Sequence, residues 1–177
     1  MTAQAPLEIL RQHFTQTGIT YEEDPRNNRI VCLFPYPEEP VCIVIAESPH
    51  FIEFHVTMPK DVGPVPAAHQ PAVAELLHRL NHTLTRFVWL LDFDTGDIFC
   101  HFHVPTAPHP PRDEDFQDIL RRLTVLLTAM VPPILDVAAG NSSPTEAARQ
   151  AQREIEYATV QMGFNFGERV GHDPLSN

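Results

Sequence analysis

Between Phe87 and Val104 the chain reads FVWLLDFDTGDIFCHFHV, two dense runs of β-forming residues separated by Asp94-Thr95-Gly96. No other stretch restricts the fold so tightly. A three-residue loop with Gly96 at positive φ would close a bulged hairpin. On that reading Phe93 faces Asp97, Leu90 faces Cys100 and Val88 faces Phe102. Strand side chains alternate. One face then carries Val88, Leu90, Ile98, Cys100, Phe102 and Val104, with Asp92 near the turn; the other carries Phe87, Trp89, Leu91, Phe93, Phe99, His101 and His103. Both faces are largely apolar, whereas a sheet with one solvated face shows polar residues on that side. The second face therefore calls for a cover: a helix, another protomer or a bound partner. Phe87, Trp89, Leu91, Phe99, His101 and His103 form the candidate protein-interaction face. A slip of one residue at the turn would redistribute these side chains.

The rest of the chain supplies elements around this hairpin. Pro6 to Thr17 places Leu7, Leu10 and Phe14 at helical spacing, and Gly18 is a natural stop. Ile19 to Glu23 and Arg29 to Phe34 flank the turn signal Asp24-Pro25-Arg26-Asn27-Asn28 and read as a hairpin. PYPEEP, from Pro35 to Pro40, reads as a loop. Val41 to Ala46 is a continuous apolar run, expected as a central strand. In the next strand, Phe51 to Met58, Ile52, Phe54, Val56 and Met58 alternate with Glu53, His55 and Thr57, giving one buried and one wetter face. After the proline-bearing crossing from Pro59 to Pro66, a second helix carries the stripe Val73, Leu76, Leu77, Leu80 and Leu84. Asp113 is expected to cap a third helix, which Pro132-Pro133 should end or kink near Val131. Ser143-Pro144-Thr145-Glu146 signals the start of a fourth. Its stripe of Ala148, Ala151, Ile155, Ala158 and Met162 is weak and suits a neighbouring element or a second protomer.

The order is α-β-β-β-β-α-β-β-α-α, with strands in antiparallel meanders, which makes the fold class α+β. Residues 1–140 read as a single domain, 141–162 as an appended helix and 163–177 as a mobile tail. A formal net charge of -11 argues against nucleic acid and anionic membranes as partners. The three widely spaced cysteines, Cys32, Cys42 and Cys100, fit a reducing cytoplasm. The N-terminus shows no signal peptide, and no apolar run approaches the roughly 20 residues of a membrane span.

The leucine-rich helix LLHRLN, then FVWLLDFDTGDIFCHFHVP, then the amphipathic helix from Asp115 resemble the YbjN-like family of bacterial sensory-transduction regulators. The element order resembles the type III secretion chaperone-like fold. The likeness covers roughly half the chain and rests on a Leu-Leu-x-x-x-Asn helix end running into a strand, an acidic-Gly turn, a second strand and a long helix. The proline-rich connections and the fourth helix depart from that pattern. The resemblance implies a non-enzymatic, often homodimeric domain that binds proteins; the related chaperones hold extended client segments. Fold does not by itself fix function.

Chemical constellations are few. His101 and His103 share a strand face and could begin a metal site, with His55 or His109 as further ligands. Their spacing matches no zinc signature, and the adopted reading is of partly buried histidines at an aromatic interface. Cys100 falls on the apolar face as inert packing rather than a nucleophile. Asp92, Asp94 and Asp97 lack the remaining oxygen ligands of a calcium loop and read as a solvated hairpin tip. No P-loop, dinucleotide fingerprint, nucleophile elbow or HExxH occurs. No catalytic, cofactor-binding or metal residue is assigned, and no cofactor. Three functions remain open: a chaperone-like or regulatory protein-binding module acting as a homodimer, an enzyme with an unrecognised site around His101 and His103, and a purely structural homodimer.

Overall fold

The computed structural model describes residues 5–34, 40–58, 63–84 and 86–162. Its elements are α1 (Pro6–Thr17), β1 (Tyr21–Asp24), β2 (Arg29–Phe34), β3 (Val41–Glu47), β4 (Phe51–Thr57), α2 (Gln70–Asn81), β5 (Val88–Leu91), β6 (Ile98–Pro105), α3 (Asp113–Ala138) and α4 (Pro144–Met162). The fold is α+β, in the order expected. All six strands join one antiparallel sheet, ordered β1-β2-β3-β4-β6-β5. The loop expected at Pro35 to Pro40 falls almost entirely outside the described residues, as do the first half of the crossing, residues 59–62, and the whole of the tail at 163–177.

One face of the sheet is the core. Ile30, Cys32 and Phe34 of β2, Val41, Ile43 and Ile45 of β3, and Ile52, Phe54 and Val56 of β4 point inward, as do Ile98, Cys100, Phe102 and Val104 of β6. They pack with Leu7, Leu10 and Phe14 of α1, the α2 stripe and the α3 stripe in one cluster. Two-residue periodicity on the strands thus meets 3.6-residue periodicity on the helices. The fourth helix lies on α2 and α3 rather than on the hairpin, burying Ala147, Ala148, Ala151 and Ile155. Its start uses the expected signal: Ser143 Oγ donates to Glu146 Oε2 at 2.7 Å and accepts from the Glu146 amide at 3.3 Å. That hydroxyl, together with the Ser143 amide, holds the Glu146 carboxyl below its usual range.

Two helix-end expectations need correction. Asp113 does not cap α3; it is the first helical residue, and the cap is Arg112, whose amide donates to Asp115 Oδ2 at 2.7 Å. The Asp113 carboxylate instead takes Nδ1 of buried His13 at 2.8 Å and Nε2 of Gln117 at 2.6 Å, tying α1 to the start of α3. Nor does α3 end at Val131. It runs through Pro132 and Pro133 to Ala138. Each proline forfeits one helical N–H bond, but Met130, Val131, Ile134 and Val137 are buried on the far side of that cost. Core packing carries the helix past residues that would stop it in isolation.

The central hairpin is shifted by one residue from the expected register. Val88 faces His101, Trp89 faces Cys100, Leu90 faces Phe99 and Leu91 faces Ile98. The loop has four residues, Phe93 to Gly96, because Asp92 organises it: Asp92 Oδ1 accepts from the amides of Asp94 (2.8 Å) and Thr95 (3.3 Å), and its carbonyl accepts from Gly96 N at 2.7 Å. Gly96 sits at φ 81°, and a Cβ there would come within 2.7 Å of the Val65 carbonyl oxygen, so both conformation and space demand glycine. The faces of β6 are as expected, whereas those of β5 are exchanged.

Candidate functional site

The six candidate interaction residues separate. Phe87 and Trp89 are core, with Trp89 only 1% exposed, and Leu91 packs against the same core. Phe99, His101 and His103 lie on the opposite, outward face. Val88 (42% exposed) and Leu90 (39%) take the outward places on β5 that the expected register assigned to Phe87, Trp89 and Leu91. A second lock holds this arrangement. Asn81, at the end of α2, donates Nδ2–H to the Trp89 carbonyl and accepts the Trp89 amide on Oδ1, both at 2.8 Å. β5 is an edge strand, and the Asn81 amide meets the backbone groups that would otherwise be open to another strand.

The outward face follows from the register. One row across the sheet is Val31, Val44, His55, His101, Val88; the next is Leu33, Cys42, Thr57, Phe99, Leu90. Leu33 is 55% exposed. Among the described strand residues Glu22, Asp24, Arg29 and Glu53 bring charge to this face, and none of them lies in the Leu33 row. The two rows through Val31 and Leu33 therefore form a largely apolar band, with Glu22 at the β1 end of the first and charge otherwise confined to the neighbouring row of Asp24, Arg29 and Glu53. The described helices lie behind the other face.

At its centre, β4 and β6 set two pairs side by side: Glu53 opposite His103 and His55 opposite His101. Glu53 Oε1 lies 3.1 Å from Nε2 of His103 and 3.5 Å from Nε2 of His101. One ligand atom from each of Glu53, His101 and His103 falls within 4.8 Å of the others. His55 is turned aside; its ring stacks on Phe99 with centroids 4.5 Å apart. Partial burial, and then the neighbouring His101, lower the His55 pKa against the opposing pull of Glu53. His109, expected as a further ligand, is exposed on the β6–α3 connection and belongs to no such group. Glu53 was missed by sequence reasoning. The alternation Glu53, His55, Thr57 marks the wetter face of β4, but nothing local says that β4 neighbours β6.

Nucleophilic chemistry finds little support here. Cys100 faces the core, and burial pushes its thiol pKa far up. Burial, then the neighbouring Cys42, raises that of Cys32 to about 12. All three cysteines are free. Asp92, Asp94 and Asp97 are spent on or beside the loop's own hydrogen bonds. A surface depression of about 640 Å³ between α2 and α4, lined by Glu75, His78, Arg79, His82 and Arg149 among others, stands apart from the sheet face. No helix among the described residues is long and apolar enough to cross a membrane. Comparison with protein-family models, curated proteins and solved structures finds no match to this chain.

Proposed function

We propose that this protein is a non-enzymatic protein-binding module, a chaperone-like or regulatory adaptor, that acts as a homodimer through the outward face of its sheet. The observation that carries the proposal is the run of apolar side chains across that face, Leu33, Val31, Val44, Phe99, Val88 and Leu90, with hardly a charge among them. Contiguous apolar surface of this kind marks interaction sites. The charge distribution favours a second copy as the occupant. Two chains of net charge -11 repel one another, and approach costs less through the band of the Val31 and Leu33 rows, where Glu22 at the β1 end is the one carboxylate. A patch that meets its own copy about a two-fold axis needs no opposite charge on the partner. The element order also agrees with the type III secretion chaperone-like fold that the YbjN-like centre resembles, in which client segments are held on sheets and helices. A cytoplasmic setting is part of the proposal, supported by three unpaired thiols.

Substitutions on β5 and β2 test the reading. Leu90→Asp and Leu33→Asp place a charge on the outward face and should give folded monomers in sedimentation equilibrium, where wild type is a dimer. Trp89→Asp, one residue away, buries a carboxylate in the core and should unfold the chain. A wild type that remains monomeric at high concentration refutes self-association.

A further inference from the structure

Glu53, His101 and His103 form a group whose chemistry the protein-binding reading leaves unused. We propose that they constitute a binding site for a divalent transition-metal ion of the zinc class, with the fourth coordination position open to water or an incoming ligand. Two imidazoles and a carboxylate are the donor types zinc takes in sites that keep an open position. Metal–ligand bonds of about 2.0–2.1 Å in a tetrahedron set donor atoms about 3.3–3.4 Å apart. The distances from Glu53 Oε1 to the two imidazole Nε2 atoms, 3.1 and 3.5 Å, straddle that edge length. The remaining histidine–histidine separation lies within 4.8 Å, and the two rings meet edge to face with centroids 4.5 Å apart.

The scaffold suits a preorganised site. β4 and β6 are adjacent interior strands paired from Phe51↔Pro105 to Thr57↔Phe99, so the three ligand-bearing backbones are held by a continuous ladder. Phe51 packs edge-on against the His103 ring, with centroids 4.7 Å apart, and limits its rotation. In the single chain the three side chains are partly exposed, which gives an ion a route in from solvent before a second copy covers the face. The Glu53 carboxylate supplies negative charge toward the cation. All three ligands come from one chain, so the site does not depend on self-association.

The test is a competition titration of untagged protein with Zn2+ against a chromophoric chelator, with circular dichroism on each variant. Wild type should take up one Zn2+ per chain. His103→Asn and Glu53→Gln should weaken binding more than about 100-fold, since loss of a ligand exceeds the roughly 10–100-fold cost of losing outer-shell support. His55→Asn, on the same face but stacked on Phe99, should leave the affinity unchanged. Should a ligand variant fail to fold, the visible spectrum of Co2+-loaded wild type decides: bands of a four- or five-coordinate ion support the site, and those of the octahedral aquo ion overturn it. Uptake that is absent in wild type, or weakened as much by His55→Asn as by His103→Asn, also overturns it.

Discussion

Asn81 should be worth more to this fold than a half-exposed amide at a helix end usually is. Its side chain makes two hydrogen bonds, both of 2.8 Å, to the amide and carbonyl of Trp89 on the edge strand. Each bond contributes about 0.5–1.5 kcal/mol net, so Asn81→Ala should cost about 1–3 kcal/mol. For a chain of 177 residues each kcal/mol corresponds to about 2–4 °C in Tm, and the central expectation is a fall of about 6 °C. Trp89 is the protein's one tryptophan and is buried, so its emission reports on this strand directly. Urea unfolding followed by that emission and by far-UV circular dichroism measures the cost. Asn81→Asp sharpens the test. The carboxylate keeps an acceptor for the Trp89 amide but turns a second oxygen toward the Trp89 carbonyl. At neutral pH it should therefore be at least as unstable as the alanine variant. The charged form is disfavoured in the folded state, so this carboxyl's folded pKa lies above its unfolded value, and relative stability is gained as pH falls. Once protonated, the acid can both donate and accept, and Asn81→Asp should overtake Asn81→Ala. An alanine variant within about 0.5 kcal/mol of wild type, the range of an inert surface change, refutes the reasoning, as does an aspartate variant that tracks alanine at every pH.

Two further outcomes follow from the sheet's faces. The depressed pKa of His55 means the unfolded chain binds its proton first as pH falls, so stability is lost on acidification from the ordinary imidazole value down toward the folded one; between about pH 7 and pH 5 the Tm of wild type should fall more steeply than that of His55→Gln, and parallel profiles would contradict the assignment. Glu53 and His101 are the ionisable groups beside it and stay unchanged in the comparison. Alkylation of the folded, unreduced Leu90→Asp variant, in which the outward face is uncovered, should label half-exposed Cys42 and spare buried Cys32 and Cys100, with all three reacting after unfolding; a Cys100 that reacts as fast as Cys42 would show that β6 does not face the core as described.

Much of this fold was legible because local signals and periodicity agree. Leu7, Leu10 and Phe14 with Gly18 bounded α1, Ser143 and Glu146 marked the start of α4, and the alternation within β6 told its two faces apart without reference to any neighbour. What tertiary structure alone decided concerns pairs. Phe87, Trp89 and Leu91 compete with Val88 and Leu90 for the core, and both sets are apolar, so alternation cannot choose between them. The larger aromatic set buries more area, a bias that could have pointed inward, but the choice is made by the Asp92 side chain setting a four-residue loop and by Asn81 gripping Trp89 from another element. Pro132 and Pro133 oppose a helix locally, and only the buried residues around them outweigh that. Glu53 and His103 stand 50 residues apart and meet because β6, rather than β5, inserts beside β4. A sequence carries the period of each strand within a few residues; which strands become neighbours is set by the burial of the whole core, and the site on the outward face exists only where that choice brings two polar alternations together.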